Sequence, residues 1–269
     1  MQQISSARRS DSDVLPSVPS GPRRDFLGVP IDCLTFAETI MVADQAIQHR
    51  HTLLHVCLNV AKFVNMRSNN ELDTDVRSSD LISVDGMGIV WAARLMGISV
   101  PERVSGIDVM NGMLDLCATK GYRPYFLGAR PDVLREAVAR VKARFPRIDI
   151  AGSRDGYFRT EEEAEIVAAI KSSGADCLFI GMPTPRKERF LARHRHDLGT
   201  PFIMGVGGSL DVISGYVRRA PPLVQRMGLE WLYRTMQEPL RLAPRYLKTN
   251  AAFAGLMVKA VIPKLLAAR

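Results

Sequence analysis

The chain has no uncharged apolar run near the roughly 18 residues that a membrane-spanning helix needs. The nearest candidate, residues 251–268, is interrupted by Lys259, Pro263 and Lys264. The N-terminus is polar and lacks the apolar core of a secretory signal, so secretion is not expected. Cys33, Cys57, Cys117 and Cys177 stand far apart, which excludes the paired spacings of zinc ribbons and dithiol redox motifs. Cys57 and Cys177 fall in apolar, strand-like runs and read as small buried hydrophobes in a reducing compartment. There is no internal repeat, no Walker loop, no dinucleotide pattern of three spaced glycines and no RNP-type nucleic-acid motif.

What is there suits an α/β enzyme or binding module. At 269 residues and 46% hydrophobic content, the chain can bury one good-sized α/β core and carry appendages. A net charge of +8 favours anionic partners: nucleotides, phospholipid head groups, lipid phosphates or nucleic acid. Residues 1–24, rich in Ser, Pro and Arg, read as a disordered leader, with order beginning near Phe26. Residues 25–217 read as the core, and residues 218–269 as a basic, aromatic appendage with an amphipathic tail.

Within the core, short apolar runs alternate with longer amphipathic ones. Strands are expected at 53–59, 81–85, 124–128, 148–152, 177–181 and 201–205. Thr35 with Glu38, and Thr160 with Glu163, have capping-box spacing, and Gly121 and Gly174 stand where helices would end. This alternation predicts a Rossmann-like parallel sheet with helices on both faces. Such sheets bind ligands at the carboxyl ends of their strands, so the turns leaving those strands carry the functional information.

One such turn is Asp85-Gly86-Met87-Gly88. A carboxylate fixed at a strand end can serve as a general base, although Asp-Gly is also an ordinary turn and Asp an ordinary helix cap. Three glycine turns, at Gly128, at Gly181 and at Gly207-Gly208 with Asp211 following, lead into helix starts. Backbone N–H groups there suit a nucleotide phosphate. Asp73 and Asp75 do not read as a metal site, because residues two apart do not share a helix face. His194 and His196 read as a solvated helix face, His49 and His51 as a helix end, and His55 as a core histidine. From residue 218 to 248, cations interleave with Trp231, Leu232, Tyr233 and Tyr246, a pattern fit for a membrane interface. Arg234, Arg241 and Arg245 would fall near one face of a helix and could grip a diphosphate, with Pro239 and Pro244 expected to interrupt that helix.

Taken in order, FLGVPID (26–32), DGMGIV (85–90), ERVSGIDV (102–109), FLGARP (126–131), GMPTPRKE (181–188), GVGGSLD (205–211) and the RRAP…GLEWLYR…EP stretch (218–239) resemble the WecG/TagA/CpsF glycosyltransferases, glycosyltransferase family 26. The resemblance spans about residues 26–247 and implies a Rossmann-type sheet with a C-terminal helical, membrane-binding appendage. It implies an inverting glycosyltransferase, without metal or cofactor, that moves a sugar from a UDP-sugar to a saccharide on undecaprenyl diphosphate. By that resemblance Asp85 is the catalytic base. Cys57, Asn59, Arg103, Gly128, Gly181, Lys187, Gly207, Gly208 and Asp211 lie toward the donor, and Arg234, Arg241 and Arg245 toward the lipid diphosphate. Cys57 replaces a common Thr and Lys187 a common Gln. The implied partners are a UDP-sugar, a polyprenyl-diphosphate acceptor and the anionic cytoplasmic face of the inner membrane. Nucleic acid is not expected, and a homo-oligomer is left open. The competing readings are a nucleotide-sugar-binding module without turnover and an RNA-binding protein using the basic tail.

Overall fold

The computed structural model describes residues 23–267, so most of the expected leader lies outside the described residues. The chain opens with an antiparallel hairpin, β1 (Arg23–Phe26) and β2 (Val29–Asp32). The described structure therefore includes Arg23–Asp25, upstream of the expected start near Phe26. The Arg23 guanidinium donates twice to the Asp32 carboxylate at 2.8 Å, tying the strand ends together. The hairpin turns on Leu27 and Gly28, both at positive φ, 51° and 80°. A type I′ two-residue turn needs that conformation at both positions, and leucine there is unusual enough to leave no signal in the sequence.

The core is a six-stranded, all-parallel sheet. Its strands are β3 (Leu53–Leu58), β4 (Leu81–Val84), β5 (Pro124–Gly128), β6 (Gly152–Arg154), β7 (Cys177–Gly181) and β8 (Phe202–Gly205), in spatial order β4-β3-β8-β7-β5-β6. The connecting helices are α1 (Phe36–Gln48), α2 (Val60–Met66), α3 (Asn70–Arg77), α4 (Met87–Leu95), α5 (Gly106–Lys120), α6 (Pro131–Arg144), α7 (Glu163–Ser173), α8 (Arg186–His194) and α9 (Ser209–Ile213). The appendage holds α10 (Pro222–Arg226), α11 (Glu230–Gln237) and α12 (Pro239–Ala267). Five expected strands form within one residue of their expected ends. The sixth is displaced: Ile148 packs into the core instead of pairing, and the ladder starts where Tyr125 meets Gly152.

Side chains alternate across this sheet. Phe126, Phe179, Phe202 and Met204 turn toward α1, α5 and α6. Leu127, Leu178, Ile180 and Ile203 turn toward α7 and α8. Val56, Leu58, Ile82 and Val84 pack with the hairpin, α2 and α4. Burial on both faces explains why these strands read as continuous apolar runs, each large side chain contributing roughly 1.5–3 kcal/mol.

Local signals set the helix ends. The Thr35 hydroxyl accepts the Glu38 N–H at 3.2 Å, and the Glu38 carboxylate accepts the Thr35 N–H at 2.7 Å. Gly121 and Gly174 close α5 and α7 in the left-handed conformation. The second expected box is displaced by one residue: Glu162 caps Arg159, while Glu163 turns inward to meet Arg193 and His194. His194 is therefore half-buried and paired rather than solvated. Pro239 starts α12, where its missing N–H is not needed, and Pro244 lies inside that helix instead of ending it. The one lost hydrogen bond is outweighed by packing. Leu242, Thr249 and Phe253 are buried, and Phe253 meets Phe63 of α2 edge-on at 5.7 Å.

Candidate active site

Because every core strand runs the same way, the ends of β3, β4, β7 and β8 open together onto one cleft of about 1020 Å³. The appendage closes its other side. Gly228, Trp231, Arg234, Arg241 and Tyr246 line the same space as Asn59, Asp85 and Lys187. The rings of Trp231 and Tyr246 meet at a tilt, with centroids 5.6 Å apart, and both line the cleft, so two of the three aromatics that composition assigned to a membrane interface face it.

Asp85 is the first residue past β4. Its N–H bonds to the Leu58 carbonyl at 2.8 Å, and Gly86, at φ 109°, turns the chain into α4. The half-buried carboxylate faces the Gly106 N–H at 3.5 Å. Burial first, then the nearby Glu230 and Asp108, push its pKa up to about 6, against the opposing pull of Arg103 and the Gly106 N–H. Around it lies a charge network that crosses from core to appendage. Arg103 donates to Glu230 at 2.9 Å, and Arg219 meets Asp108 at 2.7 Å and Glu230 at 3.8 Å. Sequence reading missed Arg219, whose only signal was its place in the RRAP motif.

The other strand ends supply the donor-side candidates. Asn59 lines the cleft and caps α2, its side-chain oxygen accepting the Lys62 N–H at 2.9 Å. Cys57 lines the cleft as a thiol, pushed up to about 12 by burial first and then by Asp85. Behind it His55 is fully buried, hydrogen-bonds Ser83 at 2.8 Å, and is pushed down to about 3 by burial, so it stays neutral. Lys187 is buried beside Glu188, and burial first, then Lys62, push its ammonium down to about 8.

The glycines divide. Gly181, Gly207 and Gly208 line the cleft, whereas Gly128 does not. A Cβ on Gly128 would lie 2.6 Å from the Gly181 backbone, so this glycine permits the close approach of β5 to β7; the neighbouring Ala129 lines the cleft instead. At Gly208 a Cβ would sit 2.1 Å from Arg234 Nη2. Arg234 reaches Asp211 at 3.9 Å. Burial raises the Asp211 carboxyl, with Arg234 and Arg241 opposing. Arg241 donates to Glu238 at 2.6 Å, while Arg245 is exposed, 5.9 Å from the Tyr246 ring centroid.

Asp73 pairs with Arg77 one helical turn away. Among the described residues no three His, Cys, Asp or Glu side chains converge as metal ligands. No helix among them is long and apolar enough to cross a membrane.

The profile of the Glycosyl transferase WecG/TagA/CpsF family matches residues 24–265. Among similar curated proteins is the N-acetylglucosaminyldiphosphoundecaprenol N-acetyl-beta-D-mannosaminyltransferase of Bacillus spizizenii, strain ATCC 23059 / NRRL B-14472 / W23. It is 37% identical over 173 residues, which cover 64% of this chain and 66% of that relative, just under two thirds of its length.

Proposed function

Because the chain belongs to the WecG/TagA/CpsF glycosyltransferase family, we propose that it moves a hexose-type sugar from a UDP-sugar to a saccharide on polyprenyl diphosphate. The sugar belongs to the N-acetylmannosamine, N-acetylmannosaminuronate or glucose class, and the product feeds bacterial surface polysaccharide. The relative's name, a mannosaminyl transfer to a diphosphoundecaprenol-linked sugar, supports this acceptor class. Asp85 takes the proton of an acceptor hydroxyl, which attacks the anomeric carbon with inversion while UDP leaves. Arg103 and Lys187 offset the charge that develops on the leaving diphosphate, in place of a divalent ion. Arg234, Arg241 and Arg245 hold the lipid diphosphate through paired hydrogen bonds.

The enzyme sits peripherally on the cytoplasmic membrane face. Leu240 and Leu247, 95% and 77% exposed, stand seven residues apart on α12, with Arg241, Arg245 and Lys248 beside them. Apolar tips among cations lie in an interface more readily than they cross it.

The observation that carries the proposal is the carboxylate of Asp85 at a strand end, in the cleft and pushed up to about 6. Its test is Asp85→Asn, which keeps the volume and removes the base. Turnover is expected to fall at least about a hundredfold, with UDP affinity within about twofold of wild type. Near-wild-type turnover would take Asp85 out of the mechanism.

A further inference from the structure

Two lysines are buried where β3, β7 and β8 end. Lys62, 7% exposed, is in the first turn of α2, and Lys187, 4% exposed, is in the first turn of α8. Both ammoniums converge on one atom, Oε1 of Glu188: Lys62 Nζ at 3.2 Å, with Lys187 Nζ donating to it as well. Lys187 donates in addition to the Thr184 hydroxyl at 3.2 Å. Each ammonium carries three donors. Lys62 thus has one described side-chain partner and Lys187 two.

Both lysines line the cleft and Glu188 does not, so the carboxylate is set back from the space that the two lysines border. A purely structural ion pair needs one lysine per carboxylate. The second buried cation is costly unless an anion meets it. Asp75 of α3 carries a carboxyl held above the ordinary carboxylate range by burial first and then by the charge of Glu188, and no lysine pairs with it among the described residues. The sheet also makes room for the arrangement: a Cβ on Gly205 would fall 2.5 Å from Lys187 Cε, so the end of β8 is bare where the lysine stem crosses it. Cys57 and Asp85 line the same cleft, so the lysine pair shares the space of the proposed reacting centre.

We infer that Lys62 and Lys187 form one anion subsite on the floor of the cleft, with Glu188 as the positioning residue that holds both in place. Its ligand is an anionic oxygen group of the donor, either the diphosphate or a carboxylate on the transferred sugar. Naming the donor rests on the function proposed above; the anion preference of the pair does not.

Calorimetric titration of the full chain tests this with inorganic pyrophosphate, UDP, UDP-glucose and UDP-glucuronate, comparing wild type with Lys62→Met and Lys187→Gln. Both variants are expected to lose about tenfold or more in affinity for the anion concerned. Weakening of pyrophosphate, UDP and both sugar nucleotides together identifies the diphosphate as ligand. Weakening confined to UDP-glucuronate identifies the sugar carboxylate. If wild type binds pyrophosphate through these lysines but no UDP compound, the subsite stands and the donor reading falls. Affinities within twofold of wild type for all four probes, or no binding of any probe by wild type, overturn the inference. Should Lys62→Met fail to fold, Lys62→Met with Glu188→Gln removes the buried counter-charge along with the lysine and carries the same expectation.

Discussion

A general base accepts a proton only when ionised, and in the role proposed for Asp85 its surroundings set where that happens. With its pKa pushed up to about 6, chiefly by burial, kcat/KM should fall about tenfold per pH unit below that value. Lys187, down to about 8, gives a second fall on the alkaline side as its ammonium is lost. Glu230 raises the Asp85 pKa, so Glu230→Gln should move the acidic limb to lower pH. A pH–rate profile of wild type and this variant checks the midpoints; an acidic limb unmoved by the substitution would separate Glu230 from the base. The strand-end position of Asp85 was legible in the sequence because a carboxylate followed by glycine closed an apolar strand. Arg219 was not, since its partner Asp108 lies 111 residues away. Gly128 misled for a related reason: a glycine that admits a neighbouring strand and one that admits a phosphate look alike in a sequence.

At the scale of elements, the parallel strands were readable because burial on both faces leaves unbroken apolar runs. The hairpin was not, because Leu27-Gly28 is an atypical primed turn. α12 was misjudged at Pro244, where tertiary packing overrides local preference. That packing also governs how membrane attachment can be tested. Removing everything from residue 218 onward strips Phe253 from Phe63 and damages the core as well as the appendage. Phe253→Ala alone should cost about 3–5 kcal/mol, read from the denaturation midpoint at constant m-value. The membrane claim is better tested at the surface. Leu240→Ser with Leu247→Ser should leave stability within about 0.5 kcal/mol while reducing co-flotation with anionic liposomes several-fold. Flotation unchanged in that double variant would remove α12 from the membrane contact.

For the molecule as a whole, the informative fact is that core and appendage share one cleft. The core brings Asp85, Arg103 and the lysines, and the appendage brings Glu230 and the three arginines. On the proposed assignment, donor and acceptor sides face each other across this single space, as a one-step displacement requires. On the proposed membrane attachment the basic net charge has a physical use too, because anionic lipid attracts each nearby cation by roughly 1 kcal/mol. The most direct measurement is a transfer assay. The purified chain is incubated with UDP-sugars of the N-acetylmannosamine, N-acetylmannosaminuronate and glucose classes and a polyprenyl-diphosphate-linked N-acetylglucosamine acceptor, with EDTA present, and the anomeric configuration of any product is read by NMR. The expected result is a disaccharide lipid from one of these donors, formed at an undiminished rate in EDTA, with configuration inverted relative to the donor. Retained configuration, a rate restored only by added Mg²⁺ or Mn²⁺, or no transfer from any of these donors would contradict it.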